Sequence, residues 1–180
     1  MQPDAAAAVI ALARAAEPRC GDTVVIGVDG PSGSGKTTLA ECVRAKLDCP
    51  VVHMDDLFPG WDGLAEASVL LADQVLRPLA AGLDAGYRRW DWIALSWAER
   101  VEVPPTPVLI VEGCASTVRP AAEFIAVRVW VEAGRDVRMA RGIERDGEAY
   151  RPHWERWAAQ EKDLFGADGT RDRADLVVRT

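Results

Sequence analysis

The sequence predicts an α/β domain built on a mainly parallel, five-stranded sheet. Three observations lead there. Short apolar runs recur at residues 24–28, 51–54, 108–111, 125–131 and 176–178, without the polar alternation of a strand that has one wet face. Helical periodicity fills much of the chain between them, giving the β–α–β rhythm of a parallel sheet. A chain of 180 residues, 49% hydrophobic and 27% charged, is enough for one ordinary hydrophobic core, so a single domain spanning residues 1–180 is expected.

Taken in order, residues 4–17 are alanine-rich with Val9, Ile10 and Leu12 and read as an N-terminal helix, closed by a breaker loop from Pro18 to Asp22. The first strand, 24–28, runs into a glycine-rich loop, and a helix starts at Lys36 with Leu39, Val43 and Leu47 on its inward stripe. Pro50 resets the chain into a short strand that ends at Asp55 and Asp56. A turn-rich loop, Phe58-Pro-Gly-Trp-Asp-Gly, precedes a helical run over 64–79 that carries Leu71, Val75 and Leu79 on one face. Gly82 and Gly86 end that run, and Tyr87-Arg-Arg-Trp-Asp-Trp follows as an aromatic and basic cluster. After the loop Val103-Pro-Pro-Thr-Pro, strand 108–111 closes on Glu112 and Gly113. Strand 125–131 feeds an arginine-bearing helix over 135–145; a break at 146–153, a helix over 154–164 and a last strand complete the chain.

Function is written most densely between Val24 and Ala40. Gly30, Gly35, Lys36 and Thr37 fit G-x-x-x-x-G-K-[ST] in the required setting, after a strand and at a helix start. Glycines let successive backbone N–H groups turn inward around a phosphate, and the helix N-terminus adds unpaired donors and the positive end of its dipole. Gly30, Ser32, Gly33, Ser34, Gly35, Lys36, Thr37 and Thr38 are the expected cradle of a nucleoside triphosphate. Lys36 is expected to reach the β- and γ-phosphates and Thr37 to bind Mg²⁺.

Ligands of parallel sheets sit beyond the carboxyl ends of the strands, which makes the acidic residues there informative: Asp29, Asp55 with Asp56, and Glu112. Asp29 adjoins the loop and is expected to brace it. Asp55 and Glu112 are candidates for two tasks, holding Mg²⁺ and accepting the proton of an attacking hydroxyl. Arg138, Arg141 and Arg145 recur at helical spacing and share a face. That face is either solvated and paired with nearby acids, or a lid that carries cations to a transferring phosphoryl group, hinged by residues 146–152. Trp61, Trp90, Trp92 and Trp97 serve either as core or as a wall for a flat or sugar-like ligand beside Asp91, Arg88 and Arg89. His53 and His153 are isolated, and His53 reads as an ordinary strand-end residue.

Composition narrows the partners. A net charge of −7 argues against nucleic acid, no apolar run has the length of a membrane span, and the first residues lack a basic n-region. Cys20, Cys42, Cys49 and Cys114 show neither C-x-x-C nor zinc spacing and read as reduced thiols of a cytoplasmic protein.

With these residues in view, the chain resembles the uridine kinase and phosphoribulokinase family of P-loop kinases nearly end to end. Ile26-Gly-Val-Asp-Gly-Pro-Ser-Gly-Ser-Gly-Lys-Thr-Thr is similar to that family's first motif, and cytidylate kinases carry a similar one. Val51-Val-His-Met-Asp-Asp-Leu-Phe resembles its second-strand motif, which implies that Asp55 is the catalytic base. Leu109-Ile-Val-Glu-Gly resembles its Walker B strand, which implies that Glu112 serves the metal. Trp90-Asp-Trp stands where uridine kinases have Tyr-Asp-Phe, implying that Asp91, with Trp90 and Arg88, contacts the acceptor. Residues 136–146 resemble the family lid, with Arg141 and Arg145 as its catalytic cations, and residues 174–178 resemble its closing strand.

The resemblance implies a P-loop NTPase three-layer sandwich with sheet order 2-3-1-4-5, an acceptor-binding insertion over about 57–103 and a lid over about 135–153. It implies an ATP- and Mg²⁺-dependent kinase that phosphorylates a hydroxyl of a small polar molecule, either a nucleoside or sugar-like. Leu95 lies near where uridine kinases have a base-contacting histidine, so the acceptor pocket departs from theirs. The alternatives are a nucleoside monophosphate kinase, which would use Arg88 and Arg89 on the acceptor side, and a regulatory ATPase that transfers to water.

Overall fold

The computed structural model describes residues 3–147 and 151–180. Among the described residues there are seven strands: β1 Val24–Asp29, β2 Val51–His53, β3 Ala85–Asp91, β4 Ser96–Val103, β5 Val108–Glu112, β6 Val127–Glu132 and β7 Leu176–Arg179. Five form a parallel sheet in the order β2-β5-β1-β6-β7, which is 2-3-1-4-5 when only the sheet's own strands are counted. β3 and β4 stand apart as an antiparallel pair.

The helices are α1 Pro3–Ala15, α2 Lys36–Leu47, α3 Leu64–Leu71, α4 Arg77–Ala80, α5 Arg135–Asp146 and α6 Arg151–Asp168. Because successive strand residues point to opposite faces, β1 supplies two cores. Val25 joins the side that holds α3, the hairpin residues Tyr87 and Val103, and Trp157 of α6. Ile26 and Val28 join the side covered by α1 and α2. Helices on both faces explain why the sheet strands read as unbroken apolar runs.

Two departures from the sequence reading bear on function. The run over 64–79 is not one continuous α-helix: α3 passes through a π turn at Ala72–Leu76 before α4 resumes. Pro78, just beyond the turn, has no N–H to give to the carbonyl of Gln74. The cluster at 87–92 proves to be most of β3, with a bulge between Arg88 and Trp90 and a cross-strand Trp90–Trp97 pair at 5.1 Å. Residues 148–150 of the expected lid hinge lie outside the described residues.

The sheet register brings the functional strand ends together. Val28 and His53 both align with Glu112, and a short 3₁₀ turn, Met54–Asp56, continues β2 past that line. Asp29, Glu112 and Asp55 thus reach one edge of the sheet.

Gly27 sits at the centre of β1, where an added Cβ would lie 2.3 Å from Thr117 Cγ2 and 3.1 Å from Ile125 Cγ2. Gly27→Ala is therefore expected to destabilise the fold by about 1–3 kcal/mol, the usual cost of overpacking. The measurement is a urea unfolding midpoint; an unmoved midpoint would mean that Thr117 and Ile125 yield at no cost.

Candidate active site

The glycine-rich loop is held from below by Asp29. This buried carboxylate accepts hydrogen bonds from Gly30 N at 2.7 Å, Ala115 N at 2.9 Å, Thr117 N at 2.7 Å and Thr117 Oγ1 at 2.9 Å. One side chain thus ties the loop after β1 to the loop after β5. Burial lifts its pKa to about 6, against the pull of those hydrogen bonds and of Lys36. Two glycines are required by approach as well as by backbone angle. Gly30, at φ +137°, would place a Cβ 2.0 Å from Val131 O; Gly33, at φ +76°, would place one 2.3 Å from Arg138 O.

α2 starts from Gly35 in the left-handed region, and no side chain caps it. Its first-turn residues Lys36, Thr37 and Thr38 line a cleft of ≈ 880 Å³, so the positive end of the helix faces that cleft. Lys36 Nζ donates to Pro31 O at 3.0 Å and to Cys114 Sγ at 3.4 Å. Burial works against the ammonium, but Cys114 and the carboxylates of Glu161, Glu112 and Asp29 outweigh it and hold its pKa above the ordinary lysine value. Burial also raises the Cys114 thiol well above its usual range, so the lasting negative charge beside Lys36 comes from the carboxylates.

Thr37 Oγ1 lies 3.2 Å from Glu112 Oε2, and His53 Nδ1 lies 2.6 Å from Glu112 Oε1. The hydrogen bond to Glu112 raises the His53 pKa. His53 therefore stands at the polar centre of the site, which its isolation in the sequence did not announce. Asp55 faces the same cleft; desolvation by the cleft walls and the charge of Glu112 raise its pKa, although its surface is open to the cavity. Arg145, Lys36 and His53 oppose that rise. Arg141 donates to Gly33 O at 3.3 Å and to Thr180 Oγ1 at 2.9 Å, and both Arg141 and Arg145 line the cleft.

The far wall is aromatic. Phe58, Trp61, Trp92 and Trp157 line it together with Asp56. Trp61 and Trp92 meet at 4.9 Å, Trp61 stacks on His153 at 4.4 Å, and Phe58 meets Trp157 edge-on at 4.9 Å. The hairpin grips the Met54–Asp56 turn at two points: Trp92 Nε1 donates to Asp55 O at 2.9 Å, and Tyr87 OH donates to Asp56 Oδ2 at 3.1 Å.

Three expected acceptor residues do not line this cleft. Arg88 is turned across the hairpin, donating to Trp97 O and Ala98 O at 3.1 Å. Trp90 packs on Trp97, and Asp91 caps the hairpin turn by accepting from Ile93 N and Ala94 N at 2.9 Å. The bulge after Arg88 shifts the register, and Trp92 is the hairpin residue that lines the cleft. Sequence reasoning also passed over Glu161 and Trp157. Their signal was present: Trp154, Trp157 and Glu161 are buried at helical spacing on α6.

A separate depression of ≈ 490 Å³ lies between α1 and β7, lined by Ala5, Ala8 and the strand itself. Its arginines Arg171 and Arg179 are paired with Glu132. It holds none of the groups described above.

No protein-family model matches the chain, and no curated protein matches it significantly. Solved structures do. One, described as a possible uridine kinase from Bacillus stearothermophilus, superposes with a TM-score of 0.63 at 21% identity, over 87% of this chain and 88% of that one. A second, provisionally described as a fructose transport system kinase from Silicibacter sp. TM1040, gives 0.58 at 21% identity, over 98% of each chain. At these identities the likeness shows the fold, and the fold is that of P-loop kinases.

Replacing Asp29 by Asn would turn an amide N–H₂ toward groups that are all donors. Asp29→Asn is expected to lower stability by about 2–3 kcal/mol and to weaken nucleotide binding by the remaining folded protein. Thermal melts with and without nucleotide measure both; a wild-type melt would remove Asp29 as the brace.

Proposed function

We propose that this chain, a domain with the P-loop kinase fold, is an ATP-dependent kinase that transfers the γ-phosphoryl group to a hydroxyl of a small polar acceptor. One observation carries the proposal: a single cleft gathers three cations with a carboxylate that can take a proton. Its lysine and arginines, Lys36, Arg141 and Arg145, come from the start of α2 and from α5. The same cleft carries Asp55, Asp56 and the aromatic side chains. Anionic phosphates suit the cations; an acceptor that donates hydrogen bonds and offers a flat or apolar face suits the aspartates and the indoles.

The chemistry follows from these placements. Backbone N–H groups of the loop and of the α2 N-terminus, with Lys36, hold the triphosphate, and Arg141 and Arg145 neutralise charge as the phosphoryl group moves. Asp55 accepts the hydroxyl proton while the acceptor oxygen bonds to phosphorus and the bond to the ADP oxygen breaks. The raised pKa of Asp55 makes it a better base than an ordinary aspartate. Thr37 and Glu112 would hold Mg²⁺. One hydroxyl and one carboxylate are few protein ligands, but they suit an ion that takes its remaining oxygens from water and substrate phosphates. When bound, the ion would offset charge on the phosphates.

A monophosphate acceptor would need cations on the acceptor wall. Arg88 and Arg89, the residues available in the sequence, are instead committed to the hairpin, Arg89 by its pair with Glu99 at 2.8 Å. Transfer to water is the other alternative, and a screen for ADP release separates the two outcomes. ADP release that depends on a hydroxyl-bearing acceptor, from a panel of nucleosides, nucleotides and sugars, is expected. Rapid acceptor-free hydrolysis that no panel member stimulates would favour the ATPase.

Lys36→Ala is expected to abolish transfer while far-UV circular dichroism stays native; transfer at the wild-type rate would remove the phosphate-loop assignment. Asp55→Asn keeps the shape of the side chain but not its charge. A fall in kcat of about 10²–10⁴ is expected, with ATP binding largely kept. Asp56→Asn, which still can accept from Tyr87, is expected to be much milder. Equal, small effects from both would mean that neither carboxylate handles a proton.

A further inference from the structure

A single residue of the glycine-rich loop, Ser32, is held at both of its backbone groups. Ser32 N donates to Glu161 Oε1 at 2.6 Å, and Ser32 O accepts from Arg138 NH1 at 3.2 Å. The two gripping side chains also face each other, Arg138 NH1 standing 3.5 Å from Glu161 Oε2. Glu161 is 2% exposed and Arg138 spreads its guanidinium over the Trp154 ring at 5.4 Å. Neither residue lines the cleft.

We infer that Glu161 and Arg138 are positioning residues that form one clamp, fixing the two peptide units on either side of the Ser32 Cα and docking α5 onto the phosphate loop. Three features support a clamp rather than incidental packing. A charged pair taken out of water is costly unless its hydrogen bonds are complete, and the Ser32 N–H and C=O supply two of them. Gly33, the next residue, has no Cβ and lets the α5 backbone at Arg138 come within reach. One helical turn beyond Arg138, Arg141 bonds Gly33 O, so fixing Arg138 also fixes where Arg141 enters the cleft. Glu161 reaches a second loop as well, since Cys114 Sγ, which touches Lys36 Nζ, lies 3.3 Å from its Oε1.

The clamp therefore orients donors that it does not itself present to the nucleotide. A phosphate cradle depends on N–H groups aimed at one point, and displacing them by a fraction of an ångström lowers affinity without unfolding anything. The inference rests on the nucleotide-binding reading of the loop.

The test is equilibrium binding of Mg·ATP and of ADP to the full chain, for wild type, Glu161→Gln, Arg138→Gln and the double variant, with thermal melts in parallel. Each single variant is expected to lose about tenfold to a hundredfold in affinity for both nucleotides. The double variant is expected to lose little more than either single one, because both hold the same residue and pair with each other. Single losses that multiply in the double variant would overturn the clamp. So would wild-type affinity in variants whose melts are lowered, which would leave Glu161 and Arg138 with structural roles only. Should Glu161→Gln fail to fold, Arg138→Gln, at a partly open position, carries the same expectation of lost affinity alone, and wild-type binding by it would overturn the inference. Failure of the wild-type protein to bind either nucleotide would instead remove the nucleotide reading, and this inference with it.

Discussion

The carboxylate of Asp29 is the constraint on which the site depends. A parallel sheet delivers strand ends to one edge, but it leaves the loops that follow them free to choose a path. Here one buried side chain accepts from the loop after β1 and from the loop after β5, so the two loops cannot move independently. The phosphate loop is thereby fixed relative to Glu112 and Cys114, which flank the second loop's origin. An asparagine has nearly the same shape but offers one acceptor too few. The position therefore needs a carboxylate even though burial raises its pKa to about 6 and makes the ionised form costly.

From that fixed base the cleft divides into two chemistries. In the proposed reading the donor half is made of backbone N–H groups, one helix dipole, Lys36, Arg141 and Arg145. The acceptor half is made of Asp55, Asp56 and a wall of indoles. Glu112 and His53 stand at the seam, 2.6 Å apart, with the Thr37 hydroxyl on the other side of Glu112. Charges of both signs in one cleft can orient a polar substrate before any reaction.

Much of the donor half was legible in the sequence because its information is local. Gly30 to Thr37 are contiguous, and Asp29, Asp55 and Glu112 each follow a short apolar strand whose end points to the same edge. The arginine face of α5 followed from helical spacing, although not the division of labour in which Arg138 grips the loop while Arg141 and Arg145 face the cleft. The acceptor half was harder, for identifiable reasons. A bulge after Arg88 shifts the hairpin register by one residue, and Arg88, Trp90 and Asp91, expected to contact the acceptor, make cross-strand and turn contacts here. Trp157 and Glu161 come from a helix distant in sequence, where the helical spacing of Trp154, Trp157 and Glu161 was the sign available. His53 gains its role only from pairing across the sheet with Glu112.

The aromatic side of the cleft is held by contacts from the hairpin and from α6. The hairpin holds the Met54–Asp56 turn through Trp92 to Asp55 O and through Tyr87 to Asp56 Oδ2. α6 holds the 58–63 loop, with Gln160 donating to Trp61 O at 2.8 Å and Arg156 pairing with Asp62. Trp92 therefore does two things at once: its ring lines the cleft while its N–H holds the backbone of Asp55. A change to Trp92 alters both the wall and the hydrogen bond to Asp55 O, and because Trp61 packs on Trp92 at 4.9 Å, a change there reaches the same bond indirectly. In the proposed reading the shape of the wall and the aim of Asp55 meet in this one side chain.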